Sequence, residues 1–421
     1  MNKLKETTMH AVFFWNITGS LFNALATLVL SILVVKIAGN DSGGIFSLAF
    51  AGSQLMLTIA CFEVRVYQST DVLENFAFSD YFTARVITCI LMMGVSCFYI
   101  WYKNYYVDIT AVVMIILCAY RVIDAMSDVF QGFFQQKERL DIAGKALSYR
   151  VFFSTIAFGI VLALTDDLVL ATLGMFIAAL ISFFCYDCYK IRLFEKPKFV
   201  VHFYKLKKLF FECLPLFAGA YMIMYVFNAP RNSIFTYMTF NDQSYFNQLF
   251  MPAAVINLLN IAFRPLLTKM ALIWNEEKYS DFIKYAFFVI FGVIIFTFAT
   301  LLGGFFLGIP ILSLLFTKEL SQYQTELMII LVGGGLSALG NILYNIITIM
   351  RKQYSLLIGY GLSCLVTFIF SDFLVSNYGL LGAAGTYLIA MIVFVLMAII
   401  LFTFYYIQIL NKNKTKKKLS N

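Results

Sequence analysis

The chain has 421 residues, of which 61% are hydrophobic and only 13% charged, whereas soluble domains average about a quarter charged residues. This balance excludes an ordinary water-soluble globular fold. The net charge of +8 does not indicate a nucleic-acid partner, because the basic residues concentrate in predicted loops on one side of a membrane.

Apolar runs follow one another along the chain, each near the roughly 20 residues that cross the hydrocarbon core as a helix. Because the runs are continuous and do not alternate, they favour helices over a β-barrel. We therefore predict an all-α integral membrane protein, with about twelve transmembrane helices in two six-helix lobes around a central cavity. The predicted spans are 11–35, 44–64, 85–102, 110–131, 142–164, 168–188, 211–236, 245–267, 282–303, 326–350, 354–375 and 379–407.

The longest polar interruption separates six spans from six and predicts two lobes. The segments are an N-terminal lobe at 1–189, a basic cytoplasmic linker at 190–210, a C-terminal lobe at 211–407 and a basic cytoplasmic tail at 408–421. All six prolines lie at or after the linker, so bent helices are expected in the second lobe. The glycines from Gly333 to Gly335 predict close helix contacts.

Lysine and arginine indicate the orientation, because positive loops are retained in the cytoplasm. Most of the 31 basic residues fall on the side of the N-terminus, and only Lys36, Lys103 and Lys318 fall opposite. Both termini are therefore predicted to be cytoplasmic. The basic tail is also suited to contact with anionic membrane lipids.

A polar stripe in the fourth span is the first candidate site. Arg121, Asp124, Asp128, Gln131 and Gln135 follow a 3-4-3-4 spacing, which places them on one helix face. A charge at bilayer depth costs about 2.5–3.5 kcal/mol and usually faces a cavity or a partner. The alternative is an intrahelical pair of Arg121 and Asp124 that only neutralises the span. That pair does not account for the length of the stripe.

Shorter polar stripes recur in three other spans. Interhelical hydrogen bonds can explain any one of them, but together they predict the lining of a water-filled cavity. The predicted lining residues are Asn16, Asn23, Asp124, Asp128, Gln131, Asn257, Asn260, Asn341 and Asn345.

Three arginines at bilayer depth predict the chemistry of the ligand. Arg121, Arg150 and Arg231 lie on helices of both lobes, and a guanidinium group matches phosphate oxygens bidentately. An anionic ligand that carries phosphate would suit them.

The sequence lacks the motifs of nucleotide hydrolysis and of nucleophilic catalysis, which argues against an enzyme. The sequence has no GxxxxGK[ST] phosphate loop, and it lacks the residue sets for nucleophilic catalysis, since both histidines lie at or beyond span ends. We therefore predict a transporter without catalytic residues, metal site or resident cofactor, with Na⁺ or H⁺ as the candidate coupling ion.

Several motifs resemble the polysaccharide repeat-unit flippases, the Wzx-type branch of the multidrug, oligosaccharidyl-lipid and polysaccharide exporter superfamily. The resemblance covers essentially the whole chain. The motifs are Glu63-Val-Arg-Val-Tyr-Gln-Ser-Thr-Asp71, Asp128-Val-Phe-Gln-Gly-Phe-Phe-Gln-Gln136, Leu140-Asp-Ile-Ala-Gly144, Leu214-Pro-Leu-Phe217, Asn228-Ala-Pro-Arg231, Phe250-Met-Pro-Ala-Ala-Val-Ile-Asn257 and Arg264-Pro-Leu-Leu267.

The resemblance implies a flippase that moves undecaprenyl-diphosphate-linked oligosaccharide across the bacterial cytoplasmic membrane by alternating access. It also implies that Arg121, Arg150 and Arg231 bind the diphosphate. The implied partners are the lipid-linked oligosaccharide, membrane lipids, and a polysaccharide polymerase with glycosyltransferases. No acidic residue in the first span matches the ion sites of drug-exporting relatives, which leaves the coupling ion open.

Two alternative functions remain at this point. A multidrug or organic-cation antiporter would need a cavity dominated by buried carboxylates, whereas this sequence has more deep arginine than aspartate. A membrane polysaccharide polymerase would also bind an undecaprenyl-linked sugar, but it would be expected to carry a sizeable outer loop.

Overall fold

The computed structural model describes residues 9–71, 76–137, 139–257, 278–316, 318–350 and 352–419, with several positions between 266 and 276. All regular elements in these ranges are helical. The chain divides into two compact units, Met1–Met224 and Tyr225–Asn421, called here the first and the second unit. The division falls inside one long helix.

The first unit contains seven helices and most of an eighth. The helices are α1 Met9–Cys61, α2 Val64–Thr70, α3 Phe78–Tyr102, α4 Thr110–Gln136, α5 Leu140–Thr165, α6 Leu168–Ser182, α7 Tyr189–Arg192 and α8 Phe203–Tyr237. A π-helical turn at Phe183–Cys188 joins α6 to α7 without a break.

The second unit begins near the middle of α8. Its further helices are α9 Phe240–Asn257, α10 Tyr279–Gly303, α11 Ile309–Leu315, α12 Gln324–Ile349 and α13 Leu356–Leu419. A second π-helical turn, Gly304–Gly308, joins α10 to α11.

Nine helices in the described part of the chain are long and apolar enough to cross a membrane. Two of them, α1 and α13, each contain one glycine with a non-helical backbone, Gly39 and Gly379. Both have positive φ, 84° and 58°, which glycine adopts without a steric penalty. Each of these two helices therefore holds two of the predicted spans.

The predicted span 245–267 begins on α9, and its residues 258–265 lie outside the described part of the chain. With this span and the two interrupted helices, the prediction of an all-α membrane protein of about twelve helices is confirmed.

The predicted linker 190–210 is partly helical, because α8 begins at Phe203. The helix α8 begins before the predicted span because the basic segment can bury one of its faces. Leu206 and Leu209 are buried whereas Lys207 and Lys208 are exposed, so the basic segment is amphipathic and packs one face against the protein.

Prolines lie within helices of the second unit, and one of them follows an irregular turn. Pro252 lies inside α9, and Pro310 lies in the first turn of α11, directly after a π-helical turn. A π-turn is one way for a helix to accommodate a residue that cannot donate a backbone hydrogen bond.

The three glycines of α12 let three other helices approach closely. A Cβ atom would lie 2.6 Å from Tyr387 of α13 at Gly333, 2.9 Å from Ala253 of α9 at Gly334, and 2.1 Å from Thr297 of α10 at Gly335. Since real Cβ atoms do not approach neighbours this closely, the expectation of small-residue packing is confirmed.

Candidate functional site

The polar stripe of α4 meets an arginine of α2. Arg65 donates from Nη1 to Oδ1 of Asp128 and to Oε1 of Gln131, both at 3.0 Å, and from Nη2 to Oε1 of Gln135 at 3.3 Å. One guanidinium group reaches three of the stripe residues, so these three lie on the same side of α4.

A second arginine binds the other oxygen of Asp128. Arg85 of α3 donates to Oδ2 of Asp128 at 2.8 Å and to the carbonyl oxygen of Ala60 at 2.7 Å. The Arg85 side chain is completely buried, and a buried cation is tolerated only when it is paired and hydrogen-bonded. Asp128 therefore neutralises cations from two helices.

Asp124 likewise forms ion pairs with two arginines. Arg121 donates from Nη1 to Oδ2 of Asp124 at 2.7 Å, one helical turn away. Arg150 of α5 donates from Nε to Oδ1 of the same carboxylate at 2.9 Å. Both guanidinium groups are nearly inaccessible to solvent. The intrahelical pair that the spacing allowed is present, but Asp124 also ties α4 to α5.

Asp187 is a third carboxylate in this region. Its Oδ1 lies 3.7 Å from Nη1 of Arg150 and accepts a short hydrogen bond from Ser127. Ser127 in turn accepts from Arg150 at 2.5 Å and from Gln131 at 3.0 Å. The network is called the arginine–aspartate cluster below. It consists of Arg65, Arg85, Arg121, Arg150, Asp124, Asp128 and Asp187.

Arg121 also faces a small polar cavity of about 20 Å³ in the first unit, which has room for about one water molecule. Asn23, Thr27 and Gln54 contribute polar groups to its lining. The Nη2 atom of Arg121 is buried and has no hydrogen-bond partner among the described residues. The cavity therefore brings together two of the predicted site residues, Arg121 and Asn23.

Arg231 lies in the second unit, where its surroundings are different. It is buried, its Nη1 donates to the carbonyl oxygen of Phe227 at 2.6 Å, and its guanidinium group lies over the rings of Phe250 and Phe246 at 4.9 and 5.7 Å. Among the described residues no carboxylate lies within ion-pair distance of it, and its Nε is buried without a hydrogen bond.

Two other predicted lining residues belong to α12. Asn341 and Asn345 are half-buried one turn apart, and the Asn345 side chain donates to the backbone oxygen of Asn341 at 2.9 Å. The side chains of Asn16 and Asn257, and all of Asn260, lie outside the described residues.

The sequence reasoning did not assign Arg65, Arg85 or Asp187 to the site. The predicted third span began at residue 85, which placed Arg85 at the membrane edge. The helix begins at Phe78, so Arg85 lies about two turns inside it. Asp187 lies at the end of the predicted span 168–188, between Cys185 and Cys188. No pattern in the sequence links it to Arg150.

The comparisons with known proteins agree on one class of protein. A family model described as "polysaccharide biosynthesis protein" matches residues 11–269. The capsular polysaccharide biosynthesis protein CapF of Staphylococcus aureus is 24% identical over 411 residues, which cover 94% of this chain and 99% of the relative.

Solved structures of membrane transporters share the fold. The lipid II flippase MurJ, in an inward closed conformation, matches with a TM-score of 0.71 at 16% identity, over 94% of this chain and 90% of the other. An inward-facing multidrug resistance MATE family transporter of the MOP superfamily matches with a TM-score of 0.66 at 14% identity, over 94% and 96%.

Proposed function

Because this chain belongs to the polysaccharide biosynthesis protein family, we propose that it is a flippase for undecaprenyl-diphosphate-linked oligosaccharide repeat units. It would carry them across the bacterial cytoplasmic membrane for the assembly of a cell-surface polysaccharide. The capsular relative, similar over nearly its full length, and the fold shared with a lipid flippase support this function. The transport cycle would be one of alternating access, as in secondary transporters built from two lobes.

The observation that carries the proposal is the environment of Arg231. Burial of a guanidinium group has a desolvation penalty of several kcal/mol, and no carboxylate among the described residues offsets it for Arg231. A diphosphate would supply the missing negative charge and can accept two parallel hydrogen bonds from the guanidinium fork. Before a ligand binds, the aromatic rings of Phe246 and Phe250 stabilise the cation through cation–π contacts.

Arg121 and Arg150 would have unequal parts in binding the diphosphate. The Nη2 atom of Arg121 has no hydrogen-bond partner among the described residues, and Arg121 faces the polar cavity, so it is the better placed of the two to donate to a ligand. Arg150 uses its Nε and Nη1 on Asp124 and Ser127. It would act mainly by holding Asp124, and thereby Arg121, in position.

The remaining parts of the proposal concern the cellular setting. The protein would act as a transporter with both termini in the cytoplasm, supplied by glycosyltransferases and followed by a polysaccharide polymerase. Na⁺ or H⁺ would be the coupling ion. Substrate uptake into inverted membrane vesicles, with a gradient of one ion imposed at a time, distinguishes the two.

Deletion in the native host tests the proposed function. The expected result is accumulation of complete lipid-linked repeat units on the cytoplasmic face of the membrane, with loss of the surface polysaccharide. If single units instead reached the outer surface without being polymerised, the protein would be a polymerase. Unchanged polysaccharide together with increased sensitivity to organic cations would indicate a multidrug exporter.

A further inference from the structure

A groove of about 610 Å³ opens on the surface of the first unit and plays no part in the proposed transport site. Its volume falls within the roughly 300–1,000 Å³ of sites for small ligands. Residues of α3, α4 and the segment from the π-helical turn to the following loop line it. It therefore lies where the chain leaves its sixth predicted span for the basic linker.

One wall of the groove is a stack of three phenylalanine rings. The ring of Phe130 is nearly parallel to those of Phe82 and Phe183, with interplanar angles of 13° and centroid distances of 6.2 and 5.6 Å. Met126 and the exposed Phe184 extend the apolar lining. Such a wall offers flat hydrocarbon contact and no polar group.

Two cations lie at the other end of the same groove. Arg192 and Lys196 both line it and are both exposed. Neither forms an ion pair with any described residue. Arg192 follows Phe184 by eight positions, about 12 Å along a helix. One groove thus combines an apolar wall with two exposed cations that no described residue neutralises.

The groove is separate from the polar stripe of α4. At 100° per residue, Phe130 lies about 180° around the helix from Arg121, and Met126 about 140°. The stripe residues Asp124 and Asp128 lie within about 60° of Arg121 by the same count. A molecule in this groove would therefore contact the face of α4 opposite Arg121, Asp124 and Asp128.

We propose that the groove binds an anionic glycerophospholipid of the phosphatidylglycerol type. One acyl chain packs along the phenylalanine stack, and the phosphate lies between Arg192 and Lys196. Charge complementarity selects the headgroup, since basic pockets beside transmembrane helices on the cytoplasmic side bind anionic lipid headgroups. The position of the groove, away from the stripe, favours a resident membrane lipid over the transported substrate.

The test measures lipid binding to the purified full-length protein. Native mass spectrometry in detergent detects the bound lipid during titration with dioleoyl phosphatidylglycerol or dioleoyl phosphatidylcholine. The protein should retain phosphatidylglycerol preferentially. The double variant R192Q/K196Q should bind it about 30-fold more weakly, since each of the two basic residues contributes about 1 kcal/mol near an anionic lipid and about 1.4 kcal/mol is tenfold. Phosphatidylcholine binding should not change.

The matched control removes two charges from the same segment outside the groove. Lys190 already lies over the rings of Tyr186 and Tyr189, and Lys198 is exposed and does not line the groove. K190Q/K198Q should change phosphatidylglycerol binding less than twofold. Equal weakening by the two double variants would show only diffuse attraction to a basic loop, and would overturn the proposal.

A second variant tests the apolar wall. Cys188 lines the groove and is half-buried, so Cys188→Trp should fill the groove and weaken the binding of both lipids. Lipid binding that C188W and R192Q/K196Q both leave intact would overturn the site. Stronger retention of undecaprenyl phosphate than of phosphatidylglycerol would overturn the choice of occupant, and would assign the groove to the transported substrate.

Discussion

Arg150 of α5 donates to Asp124 of α4 at 2.9 Å, across 26 positions of the chain. The same carboxylate accepts from Arg121 through its other oxygen, so two of the three arginines proposed to bind diphosphate depend on one aspartate. Arg231 has no such carboxylate among the described residues. Removal of charge should therefore have different effects in the two units.

Replacement of Asp124 by Asn should destabilise the protein. It leaves the buried Arg121 without its carboxylate and Arg150 with only the more distant Asp187, and breaking a buried pair from one side costs about 3–5 kcal/mol. Thermal unfolding of the purified protein in detergent measures the change. Asp281→Asn is the control, because Asp281 and Lys284 form an exposed pair on α10, and exposed pairs contribute about 0–1 kcal/mol. Equal effects of the two variants would contradict the structural role of Asp124.

The cavity prediction can be tested on the first part of α1. In a variant without the eight native cysteines, Cys introduced at Asn23 or Thr27 should react with a small charged thiol reagent, because both residues are exposed and border the polar cavity beside Arg121. Cys at Leu25 should not react. Leu25 is equally exposed at the protein surface, but it points about 160–200° away around the helix and would meet lipid. Equal labelling of the three positions would remove the case for a water-filled cavity.

Spacing within one helix could be predicted from the sequence, whereas pairing between helices could not. The stripe from Arg121 to Gln135 follows from helical periodicity alone, and the structure places Arg65 against three of its residues. The partners of Arg85 and Asp187 lie 43 and 60 positions away. They depend on which helices pack together, and no local pattern encodes that.

The ends of the membrane-spanning helices also could not be predicted from the sequence alone. Hydropathy indicates where the chain is apolar enough for lipid, but α3 and α8 extend beyond their predicted spans into polar sequence. Tertiary contacts stabilise those extra turns. Arg85 of α3 is one example, because the predicted span begins at residue 85 whereas the helix begins at Phe78.

The predicted topology can be checked by labelling intact cells with an impermeant reagent. Single cysteines placed at 193–202, inside the basic segment 189–210, or after residue 411 should be protected, because the basic segment and the tail carry the densest positive charge. A cysteine at Asn104, in the loop between α3 and α4, should be labelled and is the positive control. Labelling of either basic segment from outside would reverse the orientation.

The linker before α8 should depend on Asp80. This buried carboxylate lies 2.9 Å from Nδ1 of His202 and accepts from Lys205 at 3.3 Å, while the backbone N–H of Val200 donates to Thr83 at 3.0 Å. Asp80→Asn should loosen the linker, because hydrogen bonds to charged groups contribute about 1.5–3 kcal/mol each. Limited trypsin digestion after Lys198 should become faster. Thr83→Val, which removes one neutral hydrogen bond, should have a smaller effect, and a larger one would contradict the anchoring role of Asp80.

Substitution of Arg231 separates a role in binding from a role in folding. Arg231→Ala should reach the membrane in near-normal amounts, because no described carboxylate loses a partner, but it should reduce export of lipid-linked sugar per molecule of protein by at least tenfold. That loss corresponds to about 1.4 kcal/mol and is near the lower limit for a charge-assisted hydrogen bond. Arg231→Lys keeps the charge and loses the fork, so its export should fall between those of the wild type and the alanine variant.

Arg150→Ala provides the contrast for this experiment. It leaves Asp124 with one arginine and Asp187 without its nearby cation. The main effect should therefore be a smaller amount of protein in the membrane. The deciding measurement is export normalised to the protein level in the membrane. If Arg231→Ala lowered only the protein level and left normalised export unchanged, Arg231 would be a structural residue held by Phe227 and the aromatic rings. The proposed diphosphate site would then lose its main support.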